Sequence, residues 1–248
     1  TLCDGIDNNC DGNVDETFPT KGQACDNGLL GVCRGTGSQQ CRVDESGLEC
    51  VITSPGEENP GAESCNGLDD DCDGVVDDAL DDSDLRRVTG TVGSVSVDVW
   101  MEIWEASRPD ATSLLPGSLE SHSCSRPGVL PWASVSQSRA EEICEQRGRR
   151  LCSAEELQLA CSGATGNSYP YGSTYQATAC NGLDYSVTAG TQSRALPAGT
   201  LSTCVSTGQI LDLTGNVAEW SSTRTNDLAE SPGIFEVRGG SFESPAGG

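Results

Sequence analysis

The spacing of apolar residues divides the chain into two parts. In the first 85 residues the apolar side chains lie scattered among glycine, serine and acidic residues, and Phe18 is the only aromatic residue before position 100. Further along, Val95, Val97 and Val99 alternate with polar residues. Such alternation is typical of a strand with one face in a core. The sequence therefore predicts that a hydrophobic core begins only in the second part.

Two helices are predicted in the second part. The first begins at Ser136 or Ser138, and the second begins with a capping box formed by Ser153 and Glu156. Each is followed by a glycine, the usual residue beyond a last helical turn. The residues predicted to face the core recur at three- and four-residue spacing, and they are Ala140, Ile143 and Cys144, then Leu157, Ala160 and Cys161.

The first part is predicted to contain short strands tied by disulfides. Segments 31–34 and 40–43 have the composition of small strands. So few large apolar residues cannot stabilise this part by burial alone. Its middle cysteines are expected to form two disulfides, in any of three connectivities. These cysteines are Cys25, Cys33, Cys41 and Cys50.

Oxygen-bearing residues recur at alternate positions in two loops, 3–16 (loop 1) and 65–78 (loop 2), offset by 65 − 3 = 62 residues. Counted from Asp7 or Asp69, they stand at positions 1, 3, 5 and 9, with glycine at position 6, as in calcium loops. The carbonyl at position 7 adds a ligand. The predicted ligands are Asp7, Asn9, Asp11, Asn13 and Asp15, and Asp69, Asp71, Asp73, Val75 and Asp77.

Position 12 of these loops lacks the glutamate of an EF-hand. Phe18 and Leu80 stand there, so we expect weaker coordination that includes water. Each loop has two cysteines, and the pairs Cys3–Cys10 and Cys65–Cys72 are predicted to close them. The loops resemble the MopE-type metal-binding repeat of secreted bacterial proteins and, less closely, the calcium loops of thrombospondin type 3 repeats. The alternative is an acidic, solvated loop without an ion.

Composition and charge support an exported chain of two domains, 1–85 and 86–248. The fourteen cysteines include no CxxC pair and accompany a single histidine, so they indicate an oxidising compartment rather than zinc sites. The net charge of −24 excludes a general nucleic-acid binder, and no apolar stretch is long enough to span a membrane. Residues 1–85 carry 21 acids and 3 bases, and the remainder carries 17 and 11.

Six ordered segments of the second part resemble the formylglycine-generating enzyme (sulfatase-modifying factor) family. They are 102–107, 140–151, 152–160, 169–172, 212–220 and 238–242. The resemblance covers about 90–248 and implies an irregular α+β fold, related to C-type lectin-like folds, with bound calcium. The resemblance implies that the family's calcium site is formed here by the side chains of Asp212 and Glu219 and the carbonyls of Gly215 and Val217. A second family site begins at Asn181 and the Gly182 carbonyl, with Asp184 as a further candidate.

The catalytic residues of the family do not carry over. The first cysteine of its copper-binding pair falls on Ser244, and the second falls beyond Gly248. Serine cannot supply the thiolate that Cu(I) requires. The iron-binding relatives use histidines, whereas we interpret His122 as a loop residue beside a disulfide. The six cysteines of this part are expected to pair as Cys144–Cys152, Cys161–Cys180 and Cys124–Cys204.

The favoured function is a secreted or cell-surface calcium-binding protein without catalytic activity, which binds a protein or carbohydrate ligand. One alternative is an active formylglycine-generating oxidase whose catalytic cysteines lie elsewhere. Another is a self-associating subunit of an extracellular filament or matrix. No catalytic residue is predicted within the chain, and calcium is the only cofactor expected.

Overall fold

The computed structural model describes residues 2–78, 80, 83–225 and 234–245. The chain forms two compact units, 1–80 and 81–248. The sequence analysis placed the boundary after residue 85. Leu85 opens the first strand pair of the second unit. Both units combine short strands or helices with long irregular segments, as an irregular α+β chain should.

The first unit contains one antiparallel sheet in the order β1-β2-β3. Gly31–Cys33 is a 3₁₀ helix, so the strand predicted at 31–34 is wrong. Gly31 has φ +51°, which a strand cannot accommodate. The strand predicted at 40–43 is confirmed only up to Cys41, because Arg42 turns back and donates its N–H to the Gly47 carbonyl. The three strands are Ala24–Asp26, Thr36–Cys41 and Leu48–Ser54.

The disulfides of the first unit correct the predicted loop closures. Cys3 pairs with Cys41 and Cys33 pairs with Cys72, so neither Cys3–Cys10 nor Cys65–Cys72 forms. Cys10 is an exposed free thiol. Cys25 pairs with Cys50 across the sheet, so one of the two disulfides expected among the four middle cysteines forms and the other does not. Each loop is thus fastened to the scaffold around the sheet rather than closed on itself.

The core of the second unit forms between a hairpin and a helix. Strands β4 (Leu85–Val92) and β5 (Val95–Glu102) pair in antiparallel register. The alternation predicted for this region is confirmed, since Val97 and Met101 are buried while Trp100 is 64% exposed. Buried residues of the second predicted helix and of a later loop complete the cluster, and they are Leu157, Leu159, Ala160, Ile210 and Leu213.

Both predicted helices are present. Helix α1 spans Gln137–Gln146, and of the two candidate caps it is Ser136 that accepts the Arg139 N–H. Helix α2 spans Ala154–Ser162 with the predicted capping box complete. Helix α3, Leu183–Ala189, was not predicted; it follows Gly182, which offers no side-chain cap. The other strand pairs are Ala106–Ser107 (β6) with Cys124–Ser125 (β7), and Glu219–Arg224 (β8) with Phe235–Arg238 (β9).

The predicted cysteine pairings of the second unit are wrong. Cys180 bonds to Cys204, so neither Cys161–Cys180 nor Cys124–Cys204 forms. Cys144, Cys152 and Cys161 are free thiols. Burial raises the pKa of Cys144 to about 11 and that of Cys152 to about 12, so both thiols stay protonated and react slowly in disulfide exchange. None of the helices in the described ranges is long and apolar enough to cross a bilayer.

Candidate metal centres and ligand cleft

The two loops of the first unit fold by the same local bonds. In loop 1, Asp7 accepts the Gly12 N–H at 2.8 Å and Asp11 accepts the Asn13 N–H at 2.9 Å. In loop 2 the equivalent distances are 3.1 Å from Gly74 N to Asp69 and 2.8 Å from Val75 N to Asp73. These bonds turn the side chains at positions 1 and 5 inward. The glycines at position 6 have φ +94° and +99°, which residues with a side chain rarely adopt.

The aspartates at position 9 lie at the base of each loop. Asp15 accepts the N–H groups of Asp4 and Gly5, and Asp77 accepts those of Asn66 and Gly67. Asp15 also pairs with Lys21 at 2.5 Å, and this bond holds the pKa of Asp15 below its usual value. Both aspartates therefore close their loops by binding the entry backbone. Direct coordination of an ion by either of them remains a prediction.

Position 10 supplies an acid that the sequence analysis missed. In loop 1, Glu16 accepts the side-chain amide of Asn9 at 3.0 Å. In loop 2, one oxygen of Asp78 lies within 4.8 Å of oxygens of Asp71 and of Glu63, another residue that was missed. Burial raises the pKa of Asp78, and the nearby Asp73 and Asp71 raise it further. The recurrence of an acid at position 10 in both loops was the available signal; the EF-hand template assigns no ligand there.

Loop 2 also brings three predicted ligands together. Oxygens of Asp69, Asp71 and Asp73 lie within 4.8 Å of one another. Asp69 is only 5% exposed, and its Oδ1 atom is buried without a hydrogen-bond partner in the described part of the chain. The disulfide from Cys72 to Cys33 fastens this loop to the 3₁₀ helix, where Val32 donates its N–H to the Asp69 carbonyl. The arrangement has the dimensions of a calcium shell, in which Ca–O distances are about 2.3–2.6 Å.

Three carboxyl groups influence one another inside the second unit. They belong to Glu105, which follows β5, to Asp212, and to Glu219 at the start of β8. Burial raises the pKa of Glu219 strongly, and Glu105 and then Asp212 raise it further. Burial likewise raises the pKa of Glu105, with Asp212 adding to the effect, and raises the pKa of Asp212 to about 6.

These carboxyl groups differ in their hydrogen bonds. Glu105 accepts the side-chain amide of Asn216 at 2.5 Å and the Val217 N–H at 3.0 Å, and Asp212 accepts the Gly199 N–H at 2.6 Å. Both oxygens of Glu219 are buried without a partner among the described residues. An isolated buried carboxylate is costly, so Glu219 is suited to a cation.

The backbone around these acids is densely bonded. Asn216 is 2% exposed and accepts the side-chain amide of Asn181 at 2.8 Å. Gly215 donates its N–H to the Gly239 carbonyl. The carbonyls of Gly215 and Val217, both predicted ligands, accept no hydrogen bond from any described residue. Two acids and two available carbonyls thus lie on one short segment, as the family resemblance implies.

The second predicted family site is engaged in other contacts. Asn181 donates its side-chain amide to Arg194 and Asn216. The Gly182 carbonyl accepts the Tyr185 N–H, and Asp184 accepts the Tyr175 hydroxyl at 2.6 Å. Coordination of a second ion there remains a prediction.

A cleft of about 480 Å³ opens beside Glu219. Tyr169 and Tyr171 stack in parallel along it, with ring centroids 5.4 Å apart. Ser244 lines the same cleft, where its hydroxyl accepts the Ser241 N–H at 2.9 Å. Arg238 also lines the cleft and supplies a basic group, and its Nε atom is buried without a described partner. The cleft therefore combines an aromatic face with one acidic and one basic group.

Comparisons with known families match both parts of the chain. Residues 75–247 match the family model described as the sulfatase-modifying factor enzyme 1-like domain. Residues 1–16 and 57–78 match the model of a MopE-type metal-binding motif. A search of curated proteins finds no match. The two resemblances and their order along the chain are thereby confirmed, whereas neither match identifies the metal.

Proposed function

Since the chain belongs to the sulfatase-modifying factor enzyme 1-like domain family, we propose that it is a secreted or cell-surface calcium-binding protein whose family domain binds a ligand without catalysing a reaction. One observation carries the proposal: the carboxylate of Glu219 is buried without a described hydrogen-bond partner, and burial raises its pKa, which the nearby Glu105 and Asp212 raise further. A divalent cation relieves both the desolvation and the repulsion.

Calcium is the favoured ion because the available donors are oxygens. In the second unit these are Asp212, Glu219 and the carbonyls of Gly215 and Val217. In the first unit they are the carboxylates of loops 1 and 2, together with the carbonyls of Asn13 and Val75. Hard oxygen ligands in flexible loops favour Ca²⁺, whereas Cu(I) and Zn²⁺ prefer sulfur and nitrogen. Asp78 and Glu16 extend the ligand set beyond the one expected from the sequence.

The cysteine chemistry supports the proposed location. Ten of the fourteen cysteines are disulfide-bonded, and such bonds persist in oxidising compartments. The absence of a glutamate at position 12 favours modest affinity for calcium. Extracellular calcium is abundant enough to fill sites of this kind.

Ligand binding is assigned to the cleft beside Glu219. Its stacked tyrosines offer a flat face to a sugar ring or an aromatic side chain of a surface glycan or protein. The family resemblance places Ser244 at the position of the first catalytic cysteine, and the Ser244 hydroxyl accepts a backbone hydrogen bond from Ser241. A serine there cannot bind copper through sulfur.

Thermal unfolding with and without calcium tests the metal part of the proposal. At a calcium concentration about 100-fold above Kd, each site adds about 2.7 kcal/mol to the free energy of unfolding. For the second unit, which has 248 − 80 = 168 residues, this gain from the Asp212–Glu219 site is expected to raise Tm by about 5–10 °C. Removal of calcium with EDTA should reverse the shift, and an unchanged transition would contradict the proposal.

A turnover assay tests the non-catalytic part. The full chain is incubated with copper and a Cys-x-Pro-x-Arg peptide, the substrate pattern that the family resemblance implies. We expect no formylglycine product. Any turnover by the wild type would overturn this part while leaving calcium binding intact, and turnover that survives Ser244→Ala would assign catalysis to another group.

A further inference from the structure

The acids around loop 2 fall into two groups that share one residue. The first group is Asp69, Asp71 and Asp73, and the second is Glu63, Asp71 and Asp78. Within each group one oxygen from each residue lies within 4.8 Å of the others. Two ligands of the same calcium ion are at most about 5 Å apart, so each group has the size of one coordination shell. Among the described residues the five acids do not form a single group of this size.

Each group contains a buried oxygen without a described partner. In the first group it is Oδ1 of Asp69, whose residue is 5% exposed and whose other oxygen accepts the Gly74 N–H. In the second group it is Oδ1 of Asp78. A buried polar atom left unbonded is unusual in a native protein and indicates a missing partner. The two unbonded oxygens belong to different groups, so each group lacks a partner of its own.

The second group is held in place by backbone bonds. Glu63 accepts the N–H groups of Asp70 and Asp71 through Oε1, at 2.6 and 2.7 Å, and that of Asp77 through Oε2 at 2.7 Å. These bonds fix Glu63 against both ends of the loop. No rearrangement is needed to bring its carboxylate beside Asp71 and Asp78.

Charge balance favours two ions over one. The five carboxylates carry five negative charges, and no described lysine or arginine pairs with any of them. One divalent ion leaves three negative charges in a small volume, whereas two leave one. A carboxylate has two oxygens and can bridge two cations, so Asp71 is suited to the shared position.

Loop 1 differs at the shared position. Asn9 stands where loop 2 has Asp71, and its amide nitrogen donates to Asp11 and Glu16, each at 3.0 Å. These two acids therefore find an internal donor that the acids of loop 2 lack. An amide has only one oxygen to offer, so loop 1 suits a single ion.

We propose that loop 2 binds two divalent cations bridged by Asp71, in shells formed by Asp69 and Asp73 on one side and by Glu63 and Asp78 on the other. Loop 1 binds one ion. This inference rests on the proposed calcium binding and adds the number of ions and the roles of Glu63 and Asp78.

Native mass spectrometry of the full chain in calcium counts the bound ions. Relative to the wild type, Asp73→Asn and Asp78→Asn should each lose one ion, and the double variant should lose two. Glu49→Gln is the matched control, because Glu49 is an exposed acid of the same unit outside both loops. Its ion count should equal that of the wild type.

The outcomes separate this inference from the proposed function. If the double variant loses only one ion, loop 2 holds a single cation; the two-ion inference fails while calcium binding stands. If no loop 2 variant changes the count, calcium binding by this loop fails as well.

Electron paramagnetic resonance of the wild type loaded with Mn²⁺ gives a readout that needs no variant. Two ions sharing a carboxylate should show an exchange-coupled spectrum. Isolated six-line signals alone at full loading would overturn the bridged pair.

Discussion

Replacement of Asp212 by asparagine is expected to stabilise the calcium-free protein and to remove the part of its calcium response that comes from the Asp212–Glu219 site. Asp212 is 5% exposed, and burial raises its pKa from 3.8 to about 6. Asparagine retains an oxygen that can accept the Gly199 N–H, which bonds to Asp212 at 2.6 Å. The substitution removes a buried negative charge, which destabilises the folded protein when no ion is bound and attracts the ion when calcium is present. The same substitution should therefore have opposite effects in the two conditions.

The magnitude follows from the shifted pKa. Because the folded-state pKa lies above the unfolded value, the contribution of this group is fully present below pH 3.8 and is lost as pH rises through about 6. The difference of 6 − 3.8 = 2.2 corresponds to about 3 kcal/mol at neutral pH. Asp212→Asn should recover this amount in EDTA and raise Tm by about 6–12 °C.

Differential scanning calorimetry between pH 4 and pH 7 measures this effect. In EDTA the wild type should lose stability as pH rises over this range, and Asp212→Asn should lose less. In calcium the wild type should gain stability, whereas the variant should gain only what the other sites supply. Glu145→Gln, an exposed change on α1 without a described ion pair, should stay within about 0.5 kcal/mol of the wild type. A variant no more stable than the wild type in EDTA would refute the reasoning.

Three further substitutions test other parts of the account. Asn9→Asp in loop 1 removes the internal amide donor, so isothermal titration should show tighter calcium binding there; unchanged or weaker binding would contradict the role given to Asn9. Gly239→Ala places a Cβ in steric overlap with Oε2 of Glu219 and strains a residue at φ +80°, so calcium-dependent stabilisation should fall markedly in thermal scans, and a normal response would place the ion elsewhere. Ser153→Ala removes the cap of α2 and should cost about 1 kcal/mol in denaturant unfolding without altering calcium binding, which a loss of affinity would contradict.

Local signals in the sequence predict the second unit's regular elements well. The capping box of Ser153 and Glu156 and the alternation around Val97 act within a few residues, so the sequence suffices to find α2 and β5. Helix α3 was missed because Gly182 provides no side-chain cap. The 3₁₀ turn at Gly31–Cys33 was taken for a strand because so short a segment carries no distinct periodicity.

Disulfide partners and site geometry depend on contacts between distant segments. Cys72 bonds to Cys33 across 39 positions, whereas the sequence favoured the nearby Cys65. Glu105 was missed because it stands 212 − 105 = 107 positions from Asp212, and only the folded chain brings the two carboxyl groups together. Asp78 was adjacent to a predicted ligand but fell outside the EF-hand pattern.

A crystal structure of the full chain grown in calcium tests the central claim most directly, because anomalous scattering at a long wavelength locates each calcium ion. The account predicts peaks among Asp69, Asp71 and Asp73 and beside the carboxylates of Asp212 and Glu219. Aspartates directed into solvent in loop 2, with a protonated, ion-free Glu219, would contradict it.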